Sequence, residues 1–336
     1  MNTPLRPGKL PPALLREILA DQGNLPSEVR LGPALGEDAC AIDVPEGTLI
    51  AAADPITLTG SDVGAHAVLI NANDVAVMGV RPRWFLAVVL LPAGTRESAV
   101  RALFNSMRSA LEDVGAALVG GHTEVSDAVN QPVVVGQMMG FSPDHRFIRT
   151  GGVRAGDLIV QAGFAPVEAA AVLATEMNPR LDAVNPDVLA LAREAVVRPG
   201  ISVVDAALLA ADAGATALHD PTEGGLSAGL HALANASGIQ IRVDEEAVLW
   251  FEPGRAVCGA LGADPWGALA SGALLAAFPP DRAANACRLL EDRGVPARII
   301  GTAVSGSGVL QSDLIPLPTF THDEVARVLS DRSRAE

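Results

Sequence analysis

Tyrosine is missing from all 336 residues, and aromatic residues make up only 3% of the chain. Lysine occurs once, at Lys9, so arginine carries nearly all the positive charge. Such one-sided use of arginine reads as codon bias and not as adaptation to a ligand. Positive charge is itself scarce: 24 basic residues against 39 acidic ones leave a net charge of −15. That balance speaks against nucleic acid or an anionic membrane surface as a partner. The three cysteines, Cys40, Cys258 and Cys287, are far apart and form no C-x-x-C pair. They fit small core residues in a reducing compartment. No apolar run reaches membrane-spanning length. The start, Met1-Asn2-Thr3-Pro4, has no charged region followed by an apolar one, so no signal peptide is expected and a cytoplasmic protein follows. Several familiar motifs are also missing: G-x-x-x-x-G-K-[ST], G-x-G-x-x-G opening a helix, H-E-x-x-H and G-x-S-x-G. Their absence disfavours a P-loop enzyme, a Rossmann dehydrogenase, a zincin and an α/β-hydrolase.

What is present is a globular composition, 49% hydrophobic and 19% charged, long enough for two domains. Residues 1–35 read as an arm with an amphipathic helix from Ala13 to Asp21, opened by Pro11-Pro12 and closed by Gly23. Strands are expected at Ala39–Val44 and Thr48–Ala53, the second ended by Asp54-Pro55. A mostly apolar helix runs from near Val63 to Gly79, where Gly79 and Pro82 stop it. Phe85–Leu91 reads as a continuous apolar strand, and Thr95 as the cap of a helix that stops at Gly115. A short strand, Ala116–Val119, runs into a Gly-Gly turn, and Pro132–Phe141 is another strand. Two helices over one face of a sheet make an α+β layer. A boundary falls near 150–156, giving a domain over 36–150 and a second over 151–325. In the second, strands near 157–161, 216–218, 239–243, 273–278 and 298–304 alternate with helices around 166–176, 186–197, 202–213, 224–236 and 280–293. The charged tail after Thr321, set apart as 326–336, is expected to end in disorder.

The candidate chemistry is acidic. Asn71, Asn73 and Asp74 interrupt the apolar helix, and on a helix Asn71 and Asp74 share a face. Polar groups there cost stability unless paired, either within a core hydrogen-bond network or with a metal or polar ligand. Asp38 precedes one strand and Asp54 ends the next, while His122, Thr123 and Glu124 follow Gly120-Gly121. Carboxylates at strand and helix ends suit Mg²⁺, which takes oxygen ligands and keeps phosphates and water in its shell. Each Asp taken alone reads first as a turn or cap residue, and it is the set together that points to a metal. Bound Mg²⁺ would also reconcile an acidic lining with a phosphate ligand. The pairs Gly120-Gly121 and Gly224-Gly225 leave backbone N–H groups for phosphate oxygens. In His219-Asp220-Pro221-Thr222-Glu223-Gly224-Gly225, a strand turns into a helix N-terminus, which is an anion site or an ordinary capped turn. Lys9 either reaches a phosphate from the arm or is a solvated surface lysine.

These pieces, in this order, resemble the PurM-like superfamily. The matching segments are Gly36-Glu37-Asp38-Ala39, Asp54-Pro55-Ile56-Thr57, Asn73 to Gly79 with Arg81-Pro82, and Gly120 to Glu124. They continue with Gly156 to Val160, Asp220 to Leu226, and Asp264-Pro265 leading to Ser271-Gly272. The superfamily contains aminoimidazole ribonucleotide synthase, selenophosphate synthetase, thiamine monophosphate kinase and HypE. The chain is most similar to the HypE-like, AIR synthase-related branch.

The resemblance implies a two-domain fold. An N-terminal sheet-and-helix domain pairs with a second copy in a homodimer through a barrel of strands, and a C-terminal α/β sandwich domain follows it. It implies ATP with Mg²⁺, with Asp38, Asp54, Asp74 and Glu124 as the metal set. Asn71, Asn73, Gly120, Gly121, His122, Thr123, Gly224 and Gly225 stand beside the nucleotide. Asp220, Glu223 and Lys9 face the substrate or the terminal phosphate. Position 122 varies across the superfamily and is His here, which alters the metal set at that point. The implied chemistry is phosphoryl activation of an oxygen on a small substrate. The alternatives are a small-molecule kinase like thiamine monophosphate kinase, or a HypE-like hydrogenase-maturation partner that acts through another protein with little turnover of its own. HypE carries a cysteine at its C-terminus, whereas this sequence ends Asp331-Arg332-Ser333-Arg334-Ala335-Glu336.

Overall fold

The computed structural model describes residues 13–14, 16, 25–34, 36–56, 62–175 and 178–332. Lys9, Thr57 and most of the helix expected at Ala13–Asp21 lie outside the described residues. The chain divides into two compact units. The N-terminal unit comprises Pro26–Gly32 and Asp38–Ile148, and the C-terminal unit comprises Arg149–Glu336 with the segment Pro33–Glu37.

The N-terminal unit holds β1 (Val29–Leu31), β2 (Cys40–Val44), β3 (Gly47–Ile56), α1 (Val63–Ala76), β4 (Pro82–Pro92), α2 (Glu97–Val114), β5 (Ala117–Ser126) and β6 (Val133–Ser142). Its sheet runs β1-β2-β3-β6-β4-β5. Every neighbouring pair is antiparallel except β4 with β5. Alternation sends Phe85, Ala87, Val89 and Leu91 of β4 into the core, with Val134 and Met138 of β6. α1 packs on β3 and β6, and α2 packs on α1. The helices approach closely because Gly64 has no side chain; a Cβ there would come within 2.4 Å of the Leu103 carbonyl oxygen. Asp62 caps α1, accepting the Ala65 N–H at 3.2 Å and the Ser106 hydroxyl at 2.5 Å.

Three sequence expectations change here. β3 continues through Asp54-Pro55 to Ile56. α2 begins at Glu97 after Arg96, while the Thr95 hydroxyl donates to the Pro92 carbonyl at 2.7 Å. Gly120-Gly121 is not a turn but the middle of β5, whose pairing with β4 shifts register between Phe85 and Leu86 and then runs on to Ser126. Gly121 sits at φ +142, and a Cβ there would lie 1.9 Å from the Ala87 carbonyl oxygen. The glycine pair lets the strand pass a bulge instead of ending it.

The C-terminal unit holds β7 (Leu158–Ala162), α3 (Val167–Ala174), α4 (Pro186–Arg193), α5 (Val204–Asp212), β8 (Ala217–His219), α6 (Gly225–Ser237), β9 (Gln240–Val243), α7 (Glu252–Leu261), β10 (Leu274–Phe278), α8 (Pro280–Glu291), β11 (Ala297–Val304), β12 (Gly308–Leu310) and α9 (Glu324–Arg332). Its sheet runs β12-β9-β11-β7-β10-β8. Every residue of β10 is buried, so that strand is covered on both faces. Ile159 and Leu275 join Leu226, Leu230 and Leu233 of α6 in one core, and α8 packs on β7, β10 and β11. Thus the α/β sandwich expected of this half is present. The charged tail after Thr321 begins with α9, and its last residues, 333–336, where disorder is expected, lie outside the described residues; α7 is a helix where the sequence predicts no element. Among the described residues, no helix is long and apolar enough to cross a membrane.

Candidate functional site

The polar interruption of α1 now divides residue by residue. Asn71 is fully buried. Its Oδ1 accepts the Asp54 N–H at 2.9 Å, and its Nδ2 donates to the Ala67 carbonyl at 2.9 Å and the Asp54 carbonyl at 3.3 Å. The amide therefore ties α1 to the backbone of β3, and the buried polar cost is met by hydrogen bonds within the core. Room for it comes from Gly136 of β6, where a Cβ would lie 2.4 Å from Nδ2. Asp54, whose backbone is held this way, is itself exposed. Asn73 is buried, and Asp74 is 6% exposed one helical turn beyond Asn71. Asp38 lies two residues before β2 and is half-buried. Cys40 pairs with Ala51 in an antiparallel ladder, so continuing that register brings the chain at Asp38 alongside Ala53, next to Asp54.

His122 and Glu124 are placed differently. Asp54 pairs with Gly136, Gly136 with Ala87, and Ala87 with Gly121. Asp54 thus shares a row and a face with Gly121, the face that carries α1. His122 and Glu124 pair with Val88 and Leu90, which belong to the opposite face. Adjacent strands are about 4.8 Å apart, so the three steps from β3 to β5 add roughly 14 Å. A single chain therefore does not bring Glu124 to Asp54. His122 Nε2 and Glu124 Oε2 meet each other at 3.2 Å, both exposed, and Thr123 points to the other face. Among the described residues, no three acidic, His or Cys side chains gather closely enough to hold a metal ion by themselves. The oxygen-only set of Asp38, Asp54 and Asp74 still fits Mg²⁺ chemically, because that ion takes one or two carboxylates and fills its shell with phosphate and water.

In the C-terminal unit, Asp220 is 2% exposed and follows β8 directly. Glu223 is half-buried at the start of α6. Gly224 and Gly225 take φ values of +80 and +68, and a Cβ at Gly225 would lie 2.4 Å from the Trp266 carbonyl oxygen. The tight turn needs glycine, but both N–H groups already have acceptors in the chain. Gly225 donates to the Thr222 carbonyl at 3.1 Å, and Gly224 to Asp323 Oδ2 at 2.8 Å. Asp323 was missed from sequence because it sits in a charged tail. The signal was there: Asp323-Glu324 directly precedes the run Val325, Val328, Leu329, which is an N-cap followed by an apolar stripe.

Two family models cover most of the chain: "AIR synthase related protein, N-terminal domain" matches residues 36–142, and "AIR synthase related protein, C-terminal domain" matches residues 154–312. Among curated proteins, the carbamoyl dehydratase HypE of Azotobacter vinelandii is 31% identical over 284 residues, spanning 80% of this chain and 79% of that protein. Among solved structures, the hydrogenase maturation protein HypE in complex with ATP superimposes with a TM-score of 0.70 at 25% identity, covering 88% of this chain and 92% of that one. A HypE–HypF complex shares the fold with a TM-score of 0.72 at 19% identity, covering 92% and 100%.

Proposed function

The chain belongs to the AIR synthase related protein family, and on that premise we propose that it binds ATP with Mg²⁺ and activates an oxygen of a small substrate by phosphoryl transfer. The observation that carries this reading is Asp54: an exposed carboxylate whose backbone is held from both sides by the buried Asn71 amide. An acid needed only for solubility would not require such a mount. Asp38 and Asp74 complete an oxygen donor set in the same unit. Mg²⁺, when bound, supplies charge neutralisation for the phosphates and fixes their orientation. The protein's own part is to hold the carboxylates in place before the ligand arrives, so that little reorganisation is left for the reaction. Asp220 and Glu223 are assigned to the substrate. The ATP-bound HypE relative supports the nucleotide, and the HypE of Azotobacter vinelandii, named a carbamoyl dehydratase, supports an amide-like oxygen as the acceptor.

A second copy of the chain is the partner we assign. The sheet of the N-terminal unit is covered by helices on one face, while Val88 on the other is 39% exposed. The edge strand β5 is exposed along nearly its whole length, with Leu118, Val119 and Val125 at 43%, 53% and 61%. An open edge strand with exposed apolar side chains is costly in a monomer and suits burial against a copy. Such pairing is also the route by which Glu124 would meet the carboxylates of a nucleotide site. A maturation protein is the alternative partner.

Titration calorimetry with ATP, with and without Mg²⁺, on wild-type protein and Asp54→Asn tests the reading. Mg²⁺-dependent binding is expected in the wild type and a loss of tenfold or more in the variant, with unchanged melting temperature. No binding under either condition would overturn it. Steady ATP hydrolysis on adding a pool of small amides would separate an enzyme from a binding partner.

A further inference from the structure

The final stretch of the described chain is strapped along the start of α6. The Ser227 hydroxyl donates to the Pro318 carbonyl, and His231 Nε2 lies 3.2 Å from the Leu317 carbonyl oxygen. The Phe320 ring covers Gly267, where a Cβ would come within 2.5 Å of the ring. Asp323 then divides its two oxygens. Oδ2 accepts the Gly224 N–H at 2.8 Å, and Oδ1 accepts the Val325 N–H at 2.8 Å. Just beyond, Glu324 Oε2 accepts the Asp264 N–H at 2.8 Å, and Arg327 Nη2 donates to the Gly262 carbonyl at 2.6 Å. One carboxylate therefore caps α9 and closes the N-terminus of α6 at the same time.

We propose that Asp323 is the latch of a C-terminal strap, residues 317–332, which braces the Asp220–Gly225 turn when docked and frees the Gly224 N–H when released. The surroundings make the latch sensitive to protons. Asp323 is 7% exposed. It faces Glu223 from the turn and the neutral Cys258 thiol of α7, which Glu324 and Asp264 face as well. His322 precedes it in the chain. Arg327, the cation on this side, is already committed to Glu324 and the Gly262 carbonyl. Burial first, and then the Glu223 charge, push the Asp323 carboxyl up to about 7 in spite of the N–H groups of Gly224 and Val325 that it accepts.

The sign follows from linkage. Released into water, Asp323 returns to the ordinary carboxylate value near 3.9, so the docked strap holds its proton more tightly than the released one. Docking is strongest below that ordinary value. It weakens by about tenfold per pH unit until the pH reaches about 7, and then levels off. Between pH 6 and pH 8 the released population is expected to rise roughly tenfold.

Hydrogen exchange on the full chain reads this directly. After correction for the intrinsic exchange rate, the opening constants of the α9 amides and of Gly224 are expected to rise about tenfold from pH 6 to pH 8, while those of α8 stay flat. In Asp323→Asn, which carries no charge at either pH, the α9 profile is expected to be flat. A flat wild-type profile, or an unchanged slope in the variant, would overturn the latch. Carbon-detected NMR titration of the wild-type Asp323 carboxyl is the second readout; a midpoint below 5 would overturn it without any variant. The consequence for activity rests on the proposed role of Asp220 and Glu223, but neither measurement needs nucleotide or substrate. A failed latch and a failed functional reading are therefore distinguishable.

Discussion

Asn71 and Asp54 pair side chain to backbone in both directions: the Asp54 N–H reaches Asn71 Oδ1 at 2.9 Å, and Asn71 Nδ2 reaches the Asp54 carbonyl at 3.3 Å. The amide copies the hydrogen-bonding pattern of a neighbouring strand, so a helix residue serves as an extra partner for β3. Asn71→Ala leaves both backbone groups and the Ala67 carbonyl without their side-chain partner. A stability loss of about 1–3 kcal/mol is expected in urea unfolding. Asn71→Asp, which keeps the acceptor and loses the donor, should also fall below wild type. Wild-type stability in both would remove Asn71 from its role as the mount of Asp54.

Gly121 tests the strand geometry. Gly121→Ala places a methyl 1.9 Å from the Ala87 carbonyl oxygen, against backbone that cannot rotate away. The β4–β5 pairing should give way locally, with a stability loss of about 1–3 kcal/mol. Faster exchange of β5 amides than of β6 amides would locate the damage. Gly115→Ala is the contrast, because nothing lies within 4 Å of its Cβ position; its φ of +72 leaves only the backbone cost of a left-handed residue, about 1–2 kcal/mol.

Arg149 donates from Nε and Nη2 to Glu37 Oε1 at 3.1 and 2.8 Å, and the Glu37 side chain is 4% exposed. The chain leaves the C-terminal unit after Glu37 and returns to it at Arg149. Their pairing therefore clasps the two crossings. Arg149 is itself half-exposed, so Arg149→Met, which leaves the buried Glu37 carboxylate without its donor, should cost about 1–3 kcal/mol, whereas the double variant Glu37→Gln, Arg149→Met should recover part of the loss. Additive losses in the double-mutant cycle would show that the two residues act independently.

Cys258 provides a pH-based test of burial. Desolvation first, with the charges of Asp323, Glu324 and Asp264, pushes its thiol up to about 12. The thiolate is the reactive form, so at pH 8 about one thiol in ten thousand is ionised. In native protein at pH 8, a thiol reagent should label the partly exposed Cys40 and Cys287 long before Cys258. Urea should abolish the difference. Equal labelling rates without urea would contradict the burial of α7.

Much of the fold was legible because local chemistry and tertiary structure agree. Pro45-Glu46-Gly47 sits at the turn between β2 and β3, Gly115 closes α2 at φ +72, and α8 begins at Pro280 as its proline predicts. The departures share a cause. Gly120-Gly121 has the composition of a turn, yet the parallel partner β4 holds it extended. The residues after Thr321 look like a solvated tail, yet Asp323 finds the α6 N-terminus 99 residues earlier in sequence. In both cases a partner distant in the chain decided between conformations that local propensity leaves nearly equal.

The sequence alone determined the residue types of the candidate site, the order of most of the strands and helices that carry them, and the family to which the chain belongs. Tertiary structure decided which of them share a face. Side chains on a strand alternate with a period of two, so a register of pairing sets Asp54 and Glu124 on opposite sides of the sheet, whatever their chemistry suggests. It also decided which polar groups are already spent. Asn71 answers to Asp54 and Gly224 to Asp323, because a buried donor or acceptor takes the nearest partner that folding provides, and that partner is not named by the local sequence.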